Sequence, residues 1–359
     1  MHIYLWVTDM NFKHKLLNLS GFVLIFTLSV LLLYKPDICK NAVAGGIMLC
    51  GSVIIPSLFP YMVCMLYIIN SDLTKKSQIL TPITKRLFGL SQFPFLIMVF
   101  SFLGGYPIGG KLINDAVKNK ALTQSQGRTM LNFCVNAGPA FIVTVVGSNV
   151  FHSEKIGYIL LFSHILSSII ICVFSPEITA KNTDDTHNIS IIDNFVFSAS
   201  SAAANIMSIC GYVILFAVIS AYLKYFSAFI PVLSQAACFL EITTAVTQVK
   251  NIYLISFLLG FSGFCIWFQI FSIAKELKIN IISFAVSRVI HGSLSAAITF
   301  VLLKISPTRL PTFSNTEAAP QISSIPKPAL SVSLLILGIA LIISLEHREN
   351  NRKILEDMI

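Results

Sequence analysis

Phe93-Pro94-Phe95-Leu96-Ile97-Met98-Val99-Phe100-Ser101-Phe102-Leu103 runs straight into Gly104-Gly105-Tyr106-Pro107-Ile108-Gly109-Gly110-Lys111. The first part is apolar enough for a membrane interior. The second is built to break a helix. Proline removes a backbone donor and clashes with the preceding turn. Glycine reaches positive φ at no steric cost and lets other groups approach the main chain. Inside a bilayer every N–H and C=O needs a partner, so irregular backbone survives there only when buried in protein or lining a wet cavity. This stretch therefore predicts an interrupted membrane helix beside a cavity, with Gly105 and Pro107 near the midplane.

Composition agrees. Of 359 residues, 55% are hydrophobic and only 11% charged, against about 25% charged in a soluble domain. Mean hydropathy is +0.80. These values exclude an ordinary cytosolic enzyme, a disordered chain and a nucleic-acid reader. The net charge of +9 sits in short runs between apolar segments, so it reads as membrane topology. The cysteines are scattered without metal-ligand spacing. No phosphate loop, His-Glu metal motif or nucleophile elbow occurs. The expectation is a non-enzyme without cofactor or metal, whose partners are membrane lipid, a small anionic solute and, as an open possibility, further copies of itself.

Working outward, the fold class is an all-α polytopic membrane protein with about 8–10 membrane segments. Residues 1–41 hold an N-terminal span, Leu17 to Tyr34, read as retained rather than cleaved. Residues 42–152 form a first repeat. It includes a run broken at Pro56-Ser57-Leu58-Phe59-Pro60, a basic loop from Ser71 to Phe88, the glycine-rich break, and a run broken at Asn136-Ala137-Gly138-Pro139. Residues 153–197 connect through a plain span and an acidic loop. Residues 198–304 form a second repeat, in which Asn194 to Phe226 is too long for one straight span. Residues 305–359 hold a Pro/Ser/Thr loop, a last span from Ala329 to Leu345 and a charged tail. If every run crosses, the acidic loop lies outside, as do Lys111, Lys118 and Lys120, against the positive-inside rule. If one run is re-entrant, the conflict eases and the acidic loop moves inside.

Two short strings suggest duplication. Cys50-Gly51 matches Cys210-Gly211, and Gly105-Tyr106-Pro107-Ile108 resembles Gly263-Phe264-Cys265-Ile266 at nearly the same offset. That alignment sets Gly105 opposite Gly263 and Lys111 opposite Gln269. Interrupted segments at corresponding places in two halves point to a transporter binding site.

The candidate site follows from the breaks. A helix opening near Lys111 would aim free N–H groups and a positive dipole end at the stretch Gly105, Tyr106, Pro107, Gly109, Gly110. Lys111 adds a formal charge. Asn132 and Asn136 flank the second break and can donate and accept. Ser262, Gly263 and Gln269 occupy the second-repeat positions. Arg288, deep in an apolar run, is a functional candidate, and pairing with Glu241 is its structural alternative. Lys111 and Arg288 together would grip an anion. Glu241 could carry a coupling proton, bind a cation or sit at an interface. His291 shares the face of Arg288 and is assigned a coupling or structural place. His164 is assigned no role.

These strings resemble a known family. Pro56-Ser57-Leu58-Phe59-Pro60, Gly105-Tyr106-Pro107-Ile108-Gly109-Gly110-Lys111 and Asn132-Phe133-Cys134-Val135-Asn136-Ala137-Gly138-Pro139 are similar to the YlbJ (SpoVV) sporulation integral membrane proteins. These belong to the nucleoside-recognition Gate group, akin to concentrative nucleoside transporters. The resemblance implies Gate-like repeats, residence in the outer forespore membrane of the mother cell, and passage of dipicolinic acid during endospore formation. Gly110 and Ser262-Gly263 depart from the family's pattern. The alternatives are a non-transporting scaffold for spore assembly and a nucleoside-type carrier.

Overall fold

The structure, a computed structural model, describes residues 22–23, 25–71, 79–181 and 190–305. The start of the first span, Lys75 and Lys76, Asp184 and Asp185, the Pro/Ser/Thr loop and the last span lie outside the described residues. Within them the regular elements are helices, joined by one isolated bridge between Leu90 and Ile178. Five helices are long and apolar enough to cross a membrane: Pro36–Ile54, Glu154–Val173, Ile191–Phe226, Ile252–Ile273 and Ile281–Ile305. The all-α membrane fold is as expected.

Two faces organise the chain. On the first, Ile178 N–H donates to Gly89 O at 2.8 Å and Lys181 N–H to Ala121 O at 2.9 Å. Gln126 Nε2 donates to Thr179 O at 3.1 Å. Residues 89–91, 121–126 and 177–181 therefore share one surface. Lys85 pairs with Glu177 there at 2.6 Å, and this hydrogen bond holds the Glu177 carboxyl below its ordinary range. Glu276 N–H reaches Asn114 Oδ1 at 3.0 Å, which brings the turn after Ile273 to the same side. At the second face, Leu302 shares a groove with Glu154 and Tyr158, and Tyr222 Oη donates to Leu31 O and Lys35 O at 3.0 and 2.9 Å.

Among the described residues, these contacts match the arrangement in which one run is re-entrant. Gln92–Gly104 enters from the first face and Tyr106–Lys118 returns to it, because both outer ends bind the 178–181 segment. This pair is a re-entrant element. The segment holding Glu177 lies beside Lys85, on the side that the positive-inside rule assigns to the cytoplasm.

The same order of elements then recurs upside down. A crossing unit, Pro36–Leu49 with Ile55–Asn70, runs from the second face to the first. Ile191–Phe226 runs antiparallel to it, with Asn194 Nδ2 on Tyr67 O at 3.1 Å and Cys50 Sγ on Cys210 O at 3.9 Å. The hairpin Gln92–Lys118 from the first face has its counterpart in Val232–Leu240 and Ile242–Gln248 from the second, with the tip at Glu241. A broken crossing follows each: Gln124–Leu131 with Phe141–Val150, then Ile252–Phe261 with Gly263–Ile273. A plain helix closes each half, Glu154–Val173 and Ile281–Ile305. Within the second half, Ser256 Oγ lies 2.9 Å from Ser295 Oγ and 2.8 Å from Thr299 Oγ1, which fixes the antiparallel register.

The inverted order corrects the expected pairing of Gly105 with Gly263. The counterpart of the Gly105 tip is Glu241, and Ser262-Gly263 corresponds to the break at Asn136. Short strings drawn from a small apolar alphabet aligned one element out of step. Three further expectations change. The double-proline run is not cut in two: Pro56 falls in the first turn of Ile55–Asn70, Pro60 sits inside it, and the irregularity lies earlier, in a π-helical stretch, Cys50–Ile54. The glycine-rich break narrows to Gly105 alone, so Lys111 lies in the second turn of its helix and does not open it. Ile191–Phe226 is one continuous helix of 36 residues. At about 1.5 Å per residue it is about 54 Å long, well beyond the hydrocarbon thickness.

Candidate functional site: a cavity between two hairpin tips

The two tips point at each other from opposite faces, and a cavity of about 330 Å³ lies between them. Gly104 to Pro107 line one end and Glu241 to Thr243 the other. The walls come from the π-helical stretch (Val53, Ile54), the long helix (Ile209, Val213), the first broken crossing (Gly138, Thr144) and the second (Cys265, Gln269). The surface is mostly apolar.

At the first tip, Gly105 has φ +84° and ψ −175°, a combination open essentially to glycine alone. A methyl there would sit 3.2 Å from Gly138 N, so the hairpin tip abuts the first broken crossing. Tyr106 lines the cavity and donates its hydroxyl to Leu259 O at 2.6 Å, tying this tip to the opposite half. At the second tip, Glu241 adopts extended backbone between its two helices. Its carboxylate accepts from Thr243 N–H at 2.9 Å and from Thr243 Oγ1. Gln269 is 1% exposed. Its Nε2 donates to Cys265 Sγ at 3.3 Å, and its Oε1 has no hydrogen-bond partner.

Beside the cavity lies a buried polar hub. Arg288 is fully buried. Its Nη1 donates to Val135 O at 2.8 Å, and its Nη2 to Leu131 O at 3.2 Å and to Asn132 O. These carbonyls lie at and just beyond the C-terminus of Gln124–Leu131, where the helix dipole is negative. The guanidinium thus saturates backbone that the break leaves open, and stacks over Phe284 at 5.5 Å. His291 Nδ1 lies 3.4 Å from Arg288 Nη1, and its Nε2 bonds His164 O at 3.1 Å. His164 Nε2 accepts from Ala137 N–H at 2.9 Å. That network makes both imidazoles neutral: His164 carries its proton on Nδ1 and His291 on Nε2. The rings stack, with centroids 4.7 Å apart.

Of the residues predicted from sequence, Gly105, Tyr106, Pro107, Glu241 and Gln269 line the cavity. The others lie elsewhere. Lys111 pairs with Asp115 at 2.7 Å along its own helix, since it sits a turn too far from the tip. Arg288 is consumed by main-chain carbonyls and does not pair with Glu241, so the two cations do not converge on the cavity. Gly109 and Gly110 serve packing: a methyl on Gly109 would overlap Cys134 O, and one on Gly110 would sit 2.7 Å from Ile270 Cδ1. Asn136 donates to Ser101 Oγ at 3.1 Å and Phe133 O at 2.8 Å. Asn132 contributes its main-chain carbonyl to Arg288. Ser262, at φ +76°, and Gly263, at φ +75°, form the second break behind the lining. Sequence reasoning gave His164 no role, whereas the structure places it in the hub. Its signal was a histidine among Ser163, Ser167 and Ser168 in a span read as plain. All four are buried without exposure.

Comparison with known proteins gives one similarity of note. Over 81% of its length the chain is 21% identical to the sporulation integral membrane protein YlbJ of Bacillus subtilis (strain 168), covering 84% of that protein. The resemblance read from the motifs is thus borne out. No protein-family model matches the chain, and no solved structure matches it.

Proposed function

We propose that this protein is a membrane carrier of a small organic carboxylate, with dipicolinic acid as the first candidate, acting in the outer forespore membrane of a sporulating cell. A carrier is proposed in place of an enzyme. The observation that supports it is the cavity held between the tips of two oppositely directed hairpins. Inverted repeats with discontinuous helices around a central site are a recurrent way to build alternating access. A cavity of 330 Å³ falls within the range of small-molecule sites, about 300–1,000 Å³. The apolar walls suit a flat ring. The likeness to YlbJ supports the sporulation context.

A second reading, a nucleoside-type carrier, draws on a specific observation. Among the described residues, the cavity lining carries one carboxylate and no Lys, Arg or His. At an effective dielectric of about 20, two like unit charges about 5 Å apart repel by about 3 kcal/mol. A neutral solute rich in donors escapes that penalty. The deciding experiment is uptake of labelled dipicolinate and of labelled nucleosides into proteoliposomes of the purified chain. Dipicolinate uptake alone supports the first reading, and nucleoside uptake alone the second. Uptake of neither leaves the membrane scaffold as the function.

A further inference from the structure

Thr81–Phe88 is a helix too short to cross a membrane. Gln92 N–H donates to Thr81 Oγ1 at 3.1 Å, and Leu80 N–H donates to Gln92 Oε1 at 2.9 Å. At the other end Gly89, at φ +67°, turns the chain back toward Gln92, where the re-entrant hairpin starts. Both ends are thus held at the first face, where Lys85 pairs with Glu177. We infer that this helix is a docking surface for anionic phospholipid: Ile79, Ile83 and Leu87 seat in the leaflet at that face, and Arg86 binds its phosphate-bearing headgroups. The inference does not rest on the carrier reading.

The first observation is how the side chains sort around the helix, at about 100° per residue. Thr84 and Phe88 face the protein: Thr84 is buried, and the Phe88 ring stacks on Phe95 with centroids 5.4 Å apart. Ile83 and Leu87, one turn apart, form a second sector, and Ile79 extends it backward by a further turn. Ile79, Ile83 and Leu87 are 83%, 60% and 58% exposed. Three large apolar side chains in one stripe mark a surface that something apolar covers. The third sector is basic, with Lys85 and Arg86 in the last turn. An apolar stripe flanked by a basic edge is the pattern of a helix lying in the membrane interface.

The second observation is the charge left on that edge. Lys85 is engaged by Glu177 at 2.6 Å, whereas Arg86 is exposed and has no ion-pair partner among the described residues. A guanidinium grips a phosphate bidentately. Lys118, Lys120 and Lys181 are also exposed on this face, so Glu177 is outnumbered there. Each Lys or Arg close to an anionic leaflet contributes about a fivefold preference. The stripe supplies the depth: with Ile83 and Leu87 in the acyl boundary, Arg86 stands at the level of the phosphates.

The test places a reporter in the stripe. Leu87→Trp, in the full-length chain, is reconstituted into bilayers of phosphatidylcholine and phosphatidylglycerol in equal parts. One lipid at a time carries bromine near the headgroup end of its acyl chains, and bromine quenches tryptophan on contact. The wild type supplies the background from its two native tryptophans. Brominated phosphatidylglycerol should quench more strongly, to the extent of about a fivefold preference over phosphatidylcholine. Adding Arg86→Gln should bring the two lipids level while both still quench. Salt at about 1 M, where the screening length falls to about 3 Å, should also weaken the preference. Equal quenching by the two lipids in Leu87→Trp overturns the inference, because the stripe then meets lipid without reading its charge. Quenching by neither overturns it too, and puts water or another protein on the stripe. A preference that survives Arg86→Gln overturns the role given to Arg86. Should Leu87→Trp fail to reach the membrane, Ile83→Trp carries the same measurement.

Discussion

The two hairpin tips meet at one cavity with opposite chemistry. The first, at Gly105, offers bare main chain and Tyr106. The second, at Glu241, offers a carboxylate. The closing helices repeat this asymmetry. His164 and His291 are each the eleventh residue of their helix, and the eighth residue is Leu161 in the first half and Arg288 in the second. One half supplies shape and the other supplies charge. A duplicated architecture therefore does not imply duplicated function. Once two copies face each other across one site, a single ionisable group serves both.

The sharpest way to break this comparison is to give the second half the first half's residue. Arg288→Leu leaves the carbonyls of Leu131, Asn132 and Val135 without their donor in a buried setting. Each buried acceptor left unmade costs about 1–3 kcal/mol, so membrane abundance and Tm should fall steeply. Arg288→Lys should recover only part, because a point ammonium cannot span the carbonyls as a fork does. Near-normal stability in Arg288→Leu would show that the hub is not what holds the broken crossing.

Gly105→Ala tests the bare tip. Its φ and ψ are closed to residues with a Cβ, at a cost of about 1–3 kcal/mol. Uptake should drop by about tenfold or more while the protein still reaches the membrane. Unchanged uptake would mean that this tip is a spectator. Ser262→Gly should act in the opposite direction. Ser262 holds φ +76°, and relief of that conformation should stabilise the protein by about 1 kcal/mol, read as a small rise in Tm. The smallest effect on uptake is expected at Lys111→Ala, because Lys111 pairs with Asp115 on its own helix and lies off the cavity. The two side chains are only 16% and 13% exposed, so the variant leaves a buried carboxylate without its partner, and Tm should fall. A large loss of uptake there would return Lys111 to the site and overturn the cavity assignment.

Much of this architecture was legible in the residues. Low charge and long apolar runs dictated membrane helices, and glycine and proline inside such runs dictated interruptions. Gly105, Tyr106 and Pro107 could be chosen because they belong to a break in an apolar run, and Glu241 because it is the one acidic residue in its run; Gln269 was reached through the repeat alignment that the fold corrects. What the sequence did not display was connectivity. Whether a broken helix continues or folds back depends on contacts far along the chain, such as Lys181 with Ala121 and Tyr106 with Leu259. Arg288 shows the same limit. Its presence in an apolar run marked it as consequential. Its partners, however, are main-chain carbonyls, and these leave no trace in residue identity. His164 was given no role because a histidine satisfied by backbone looks, in sequence, like any other polar residue in a span.

The stacked imidazoles of His164 and His291 sit where the two halves cross over each other. A pair of equivalent groups on such an axis is mapped onto itself when the halves exchange conformations. Carriers of this design work by that exchange, each half taking up in turn the shape the other has just left. Groups far from the axis then travel, and groups on it turn in place. If the protein is the carrier proposed above, the two stacked rings would serve as a bearing, staying face to face while the hairpin tips on either side open and close around them.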